Sequence, residues 1–407
     1  MYRRVYWVAL LLTVLTVGSG LWPETAQAED APHLNARAAV LMEWSTGTVL
    51  YGLRAHEKRD PASLTKIMTA IVALEHGSLQ EPVRVSRYAA WTPGSIMGLE
   101  EGQEYSLKDL LYGLMLESGN DAAVAIAEHI AGDERAFAHL MTDRAHQLGA
   151  LSTEFRNPHG LTEPGHQTTA YDLALISRYA MALPLFTSLV GTRDHQVDRI
   201  DDPTGGRMLQ NTNRLLWSYA GAEGIKTGTT SAAGPCLVTA ATRDGMRLLV
   251  VVLDSADRWG DTVALLDWGF NNFTLVKRGG AGQFWGELRV SAGVSRRVAL
   301  VLARDLVAVV RKADLPGLEV RGEVAREVRA PIRKGQPLGR LTLVVKDHPA
   351  TDRSAADGPA ADGPAAELPP GEALLVADTD VPARSLFWIL WQGLSPVLRW
   401  LHAVGLT

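Results

Sequence analysis

Two side chains able to do chemistry together stand three positions apart at Ser63 and Lys66, within Pro61-Ala62-Ser63-Leu64-Thr65-Lys66. A serine hydroxyl is a weak nucleophile until a base takes its proton. A lysine can be that base if burial or a neighbouring cation lowers its pKa. Both must then lie on one helix face, which a spacing of three provides. The local sequence supports a helix: Pro61 stands just ahead, and Ile67, Met68, Ile71, Val72 and Leu74 form an apolar face. A helix start also favours negative charge developing beside it. Of the eight lysines, Lys66 alone has a serine three residues before it. In isolation the pattern reads as a surface helix with an ordinary lysine, so partners downstream decide its meaning.

Two further patterns follow. Residues 106–117 read as a helix capped by Ser106, with Leu107, Leu110, Leu111, Leu114 and Met115 as its stripe. Helices are expected again over 121–131 and 134–148. Ser118-Gly119-Asn120 then occupies a tight loop between buried helices, from which small polar side chains can reach a cleft. The same residues also suit a helix end with an Asn cap. Lys226-Thr227-Gly228 precedes two apolar runs, 236–241 and 247–253, joined through Arg243-Asp244-Gly245, a strong hairpin signal. Lys226 is therefore expected on or beside a strand of one antiparallel sheet, with Gly228 admitting a ligand to the backbone. A lone Lys-Thr-Gly reads equally as a turn with a solvated lysine.

The elements around these patterns are legible too. Runs 38–42 and 48–51, around Ser45-Thr46-Gly47, read as a hairpin. Asn157-Pro158-His159-Gly160 is turn chemistry, 169–182 an apolar-striped helix, and 257–270 a closing helix with Arg258 near its start. His159 and His166 lack metal-ligand spacing and receive no catalytic role. The single cysteine, Cys236, excludes an internal disulfide and a cysteine-rich metal site; it is expected as a small buried residue in a strand. A net charge of −5 implies no strongly basic face, so no nucleic acid partner is expected.

At 407 residues the chain is long enough for two domains or one large domain with an appendage. Arg3 and Arg4, the apolar run 8–17 and Ala26-Gln27-Ala28 predict a secretory leader over 1–28, hence a mature protein outside the cytoplasmic membrane. From Phe273 short strand-like runs take over (284–290, 297–302, 306–310, 318–323, 341–345 and 373–376), a small all-β module over 274–384. Residues 348–370 are low-complexity, with Ala-Ala-Asp-Gly-Pro at 355–359 and again at 360–364, and read as a mobile insertion. The tail, 385–407, carries Trp388, Trp391 and Trp400. Its polar Gln392, Ser395, Arg399 and His402 fall at helical spacing, which predicts an amphipathic helix in a membrane surface. A helix packed on the β module is the other reading.

Ser63-x-x-Lys66, Ser118-x-Asn120 and Lys226-Thr227-Gly228, in that order, resemble the serine penicillin-binding and β-lactamase superfamily. Glu117-Ser118-Gly119-Asn120-Asp121, Asn157-Pro158-His159-Gly160-Leu161 and Gly224-Ile225-Lys226-Thr227-Gly228 narrow the resemblance to the low-molecular-weight D-alanyl-D-alanine carboxypeptidases, serine peptidase family S11. It implies an α/β (α+β) catalytic domain over 29–273, with an antiparallel sheet flanked by helices and a helical subdomain, then the small β domain and amphipathic anchor.

The resemblance also implies roles. Ser63 would attack the carbonyl between the last two D-alanines of a peptidoglycan stem pentapeptide, with Lys66 as its general base. The N–H groups of Ser63 and Thr229 would form the oxyanion hole. Ser118, bridged by Lys66 and Lys226, would pass a proton to the departing D-alanine, and Asn120 would hold the acyl-side amide. Lys226 would supply positive potential, Thr227 with Arg258 would bind the terminal carboxylate, and Gly228 is counted with them among the substrate-binding residues. β-Lactams would acylate Ser63 as inhibitors, and no cofactor or metal is implied. Thr229 stands where some relatives carry His, so no acid–base histidine is assigned. Alternatives are a class A-like β-lactamase, a D,D-endopeptidase using the same constellation, and a non-catalytic wall-binding scaffold. Class A β-lactamases use Glu-x-x-Leu-Asn between the second and third motifs; Leu161-Thr162-Glu163-Pro164-Gly165 does not match it.

Overall fold

Strand Met246–Leu253 is apolar except at Arg247 and buried along nearly its whole length. The fold supplies the reason. In the computed structural model it is the middle strand of a five-stranded antiparallel sheet covered on both faces, so the usual half-buried alternation is absent. The sheet order is Val49–Leu53, Ala38–Glu43, Met246–Leu253, Gly234–Arg243 and Ala222–Thr230. One face sends Val40, Met42, Val238, Leu249 and Val251 into the main helical core. The other packs Leu41, Leu248, Val250 and Val252 against Leu265, Leu266 and Phe270 of the closing helix Arg258–Asn272. Asp244 and Gly245 both adopt positive φ (50° and 77°), as a two-residue hairpin turn of this hand requires. Cys236 is buried in strand Gly234–Arg243 as expected.

The structure describes residues 31–202, 204, 206–346 and 371–385. The leader over 1–28, the insertion 348–370 and, beyond Ser385, the amphipathic tail lie outside the described residues. Among the described residues no single helix is long and apolar enough to cross a membrane.

The Ser63 helix differs from its sequence expectation at its start. Ala62–Thr65 is a 3-10 turn, and the α-helix begins only at Lys66 and runs to His76. Ala62 has φ 48°, incompatible with a right-handed helix, so regular structure cannot begin before it. Helix Lys66–His76 is buried from Lys66 to Ala73 and contacts helices Leu107–Leu116, Asn120–Ala131, Glu134–Gln147 and Ala170–Ala180. Ser106 and Thr169 cap their helices by accepting the N–H of Asp109 and Asp172, each at 3.0 Å. The stretch between 183 and 221 escaped the sequence reading. It holds helix Pro184–Gly191 and a hairpin of Asp194–Val197 with Arg207–Gln210, short polar strands with little apolar signal.

Beyond Asn272 the chain forms a small all-β domain. Phe273–Gly279 pairs with Leu306–Arg311. A six-stranded sheet runs Leu318–Val324, Pro337–Val345, Glu372–Ala377, Arg297–Leu302, Phe284–Ser291 and Glu327–Arg329. Its core includes Leu288, Val298, Leu300, Leu341 and Leu375. Strands Phe273–Gly279 and Glu327–Arg329 were not foreseen; the first has no clean alternation and the second is three residues long. Pro337–Val345 and Glu372–Ala377 pair antiparallel through Thr342 and Glu372, so residues 347–370 join hydrogen-bonded neighbours.

Candidate active site

The Ser63 turn is fastened to the loop of residues 157–166 by one helix face. Thr69 Oγ1 donates to the Pro158 carbonyl at 2.6 Å, and Lys66 Nζ donates to the His159 carbonyl at 2.7 Å. Thr65 Oγ1 lies 2.8 Å from both the Ala62 carbonyl and His166 Nε2. Gly160, at φ 89°, packs so close that a Cβ there would sit 1.9 Å from the Ala62 oxygen, so only glycine fits. Asn157 closes the loop by accepting the Gly160 N–H at 2.8 Å.

Lys66 is fully buried, with three neighbours around its nitrogen: Ser63 Oγ at 3.0 Å, Asn120 Oδ1 at 2.7 Å and the His159 carbonyl at 2.7 Å. Burial holds its pKa well below the ordinary lysine value, and the charge of Lys226 pushes the same way; Asp121 acts against both. As the ammonium this group donates to all three neighbours; in its neutral form it has two N–H groups and one lone pair. Two of its neighbours can only accept, so the two N–H groups are taken and the lone pair faces the Ser63 hydroxyl.

Ser118 and Asn120 bracket the start of helix Asn120–Ala131. Ser118 adopts φ 63° and is buried, and its Oγ makes no hydrogen bond among the described residues. The expected bridge from Ser118 to both lysines is therefore not formed here. Asn120 directs its amide nitrogen to the Pro93 carbonyl at 2.6 Å while its oxygen holds Lys66. Asp121, which the sequence reading assigned no role, is buried and accepts four backbone N–H groups. These come from Met97, Gly98, Leu99 and Ala122, at 2.8 to 3.0 Å. It clamps the cleft-lining segment that carries Gly94 and Ser95 onto the second motif. From sequence, an acid in a first helical turn signals only a favourable dipole contact.

Strand Ala222–Thr230 forms the opposite wall as the sheet edge. Lys226 is buried, and its Nζ donates to the Thr227 carbonyl at 3.2 Å. Burial, then the Arg258 charge, lowers its pKa to about 7. Thr227 Oγ1 lies 2.8 Å from Thr212 Oγ1. Arg258 donates to the Gly228 carbonyl at 2.9 Å and to Thr229 Oγ1 at 3.0 Å, which fixes it at the far end of the motif. A methyl on Gly228 would lie 3.1 Å from Ser63 N and 3.2 Å from Ala62 Cβ. What approaches Gly228 is thus the Ser63 turn itself, where sequence suggested a ligand.

Between these walls lies a cleft of about 360 Å³ lined by Ser63, Ser95, Asn120, His159, Thr229 and Thr230, among others. Glu163 is exposed and accepts from Asn157 Nδ2 at 3.2 Å, and it does not line the cleft. The structure thus brings Ser63, Asn120 and Thr229 to one hollow, with Lys66 buried directly behind Ser63, while Ser118, Lys226, Thr227, Gly228 and Arg258 are not among the residues that line it. The carbonyl of His159 belongs to that set although sequence gave the residue no part; a backbone acceptor leaves no residue-type signal.

Comparison with known proteins follows the same division of the chain. The family profile described as D-alanyl-D-alanine carboxypeptidase matches residues 25–257, and that described as penicillin-binding protein 5, C-terminal domain, matches 270–382. The chain is 36% identical over 321 residues to the D-alanyl-D-alanine carboxypeptidase DacF of Bacillus subtilis, covering 76% of this chain and 81% of that one. It is 34% identical over 366 residues to the D-alanyl-D-alanine carboxypeptidase DacD of Escherichia coli, covering 85% and 92%. The crystal structure of penicillin binding protein 5 from Haemophilus influenzae aligns with a TM-score of 0.74 at 30% identity, over 87% of this chain and 100% of that one.

Proposed function

This chain belongs to the D-alanyl-D-alanine carboxypeptidase family, and from that premise we propose that it removes the terminal D-alanine from peptidoglycan stem pentapeptides through an acyl-enzyme on Ser63. The observation that carries the reading is the surroundings of Lys66 Nζ: two obligate acceptors at 2.7 Å and the Ser63 hydroxyl at 3.0 Å. A neutral amine so placed can only receive the serine proton.

The steps follow from the groups present. Ser63 Oγ bonds to the carbonyl carbon between the two D-alanines, and its proton passes to Lys66. The oxyanion faces the N–H groups of Ser63 and Thr229. One such donor contributes ~3–4 kcal/mol to lowering the barrier. The C–N bond breaks, and the departing amine takes the proton held on Lys66 by way of Ser118, whose buried hydroxyl has no hydrogen-bond partner among the described residues. Lys226, Thr227 and Arg258 supply the positive field and donors for the substrate carboxylate from behind the Thr229 wall of the cleft, where Arg258 already bonds Thr229 Oγ1. Water then hydrolyses the ester. β-Lactams present the same acylating carbonyl and label Ser63.

The experiment is mass spectrometry of the purified protein after benzylpenicillin, with D-alanine release assayed on a peptide ending in D-Ala-D-Ala. An adduct on Ser63 together with released D-alanine is expected; an adduct elsewhere, or none, overturns the assignment.

The basic and apolar start at 1–28 and the Trp-bearing tail at 385–407 support a protein exported across the cytoplasmic membrane and held on its outer surface. Fractionation of the full chain against a chain ending at Arg384 tests this. Equal recovery in the soluble fraction rules the anchor out.

A further inference from the structure

We propose that His166 is a positioning residue for acylation, acting through the Thr65 hydroxyl on the peptide unit that carries the Ser63 N–H. The inference rests on the function proposed above and assigns work to a residue which that mechanism does not use.

The hydrogen bonds have a fixed direction. His166 Nδ1 accepts the backbone N–H of Arg156 at 3.0 Å, so Nδ1 bears no proton. The neutral ring then carries its proton on Nε2, which lies 2.8 Å from Thr65 Oγ1. Thr65 receives that proton on a lone pair and sends its own to the Ala62 carbonyl, also at 2.8 Å. The ring is buried and stays neutral across the working range: burial, then the charges of His159 and Arg156, lower its pKa to about 3. An edge contact with Phe155, centroids 5.7 Å apart, holds the ring in place.

The end of this chain matters chemically because a peptide unit is planar. The Ala62 carbonyl and the Ser63 N–H belong to one plane and point in opposite directions. Fixing the carbonyl therefore aims the N–H. That aim needs holding, because Ala62 is a non-glycine residue at φ 48°, a conformation that persists only when its surroundings enforce it. Gly160 closes over the carbonyl from one side and the Thr65 hydroxyl bonds it. Gly228 of the opposite wall lies against Ser63 N. His166 thus sets the donor geometry at the place where negative charge develops.

The test uses His166→Ala, Thr65→Val, their combination and Thr65→Ser in the full-length protein. Readouts are the rate of acylation by benzylpenicillin, kcat and KM for D-alanine release, and affinity for a peptide boronic acid, whose oxygen occupies the oxyanion position. His166→Ala and Thr65→Val each lower acylation and kcat by about 10–100-fold, as a small misaim of a reacting group does. KM stays within about twofold while boronic acid affinity falls in parallel with kcat. Thr65→Ser restores most of the rate, and the double variant is no slower than the slower single one. The inference is overturned if both single variants acylate within twofold of wild type. It is equally overturned if kcat falls with boronic acid affinity intact, or if the two losses multiply. A wild-type protein that takes up no β-lactam overturns the proposed function as well.

Discussion

Lys66 Nζ and Asn120 Oδ1 lie 2.7 Å apart, both buried, across the two helices that carry the first and second motifs. The contact uses one of the amine's two protons and so sets where its lone pair points. Asn120→Asp should therefore act on the base. A carboxylate at this distance favours the ammonium form, raises the Lys66 pKa and moves the acid limb of the acylation profile to higher pH. The measurement is the acylation rate by a β-lactam from pH 5 to 10; an unmoved limb would show that Lys66 is not the group being titrated.

Asp121→Asn acts on the same lysine from the other side. Asp121 raises the Lys66 pKa, so removing its charge moves the acid limb to lower pH. An amide nitrogen also faces N–H donors where a carboxylate oxygen stood, and leaving those donors unmatched costs about 2–3 kcal/mol of stability. Thermal unfolding and the acylation profile, measured together, separate the two effects.

Ser63→Ala removes the nucleophile and should lower D-alanine release by more than about 10³-fold, with no covalent penicillin label. The circular dichroism spectrum and melting profile should stay close to wild type, because among the described residues Ser63 Oγ has Lys66 Nζ as its hydrogen-bond partner and ties down no other element. Labelling of this variant would move the nucleophile elsewhere.

Lys226 titrates near pH 7, so KM for a substrate ending in carboxylate should rise as the pH passes that value, with kcat less affected. The same lysine opposes folding. Its folded pKa lies below its ordinary 10.5, so its unfavourable contribution is complete below about pH 7 and fades as pH rises towards 10.5. Lys226→Met should then raise stability at pH 7 by roughly 1–4 kcal/mol while abolishing the KM limb. Melting of the two proteins at pH 7 and pH 9.5 checks the sign: the advantage of methionine should shrink at the higher pH.

The fold's main lines were readable because its signals are local. Asp244-Gly245 fixes a hairpin, Ser106 and Thr169 start helices, and the doubly covered sheet writes itself as unbroken apolar runs. The motifs Ser63-x-x-Lys66, Ser118-x-Asn120 and Lys226-Thr227-Gly228 were visible because their spacing is chemical. What sequence concealed were contacts made through the backbone or between remote segments. The His159 carbonyl on Lys66, the four amides on Asp121 and the closeness of Gly228 to Ser63 have no signature in residue type. The polar hairpin Asp194–Val197 with Arg207–Gln210 was missed for the complementary reason: too little apolar surface to mark it.

The pairing of Thr342 with Glu372 in the small β domain has a practical side. The chain leaves the sheet and rejoins it at adjacent strands, with Leu343 N–H donating to the Gly371 carbonyl at 2.7 Å. Whatever is spliced between those ends adds only the slowly growing entropy of closing a longer loop, about 0.6 kcal/mol per doubling of length. An epitope, a fluorophore or a second small protein could be carried there, on a domain whose sheet does not include Ser63.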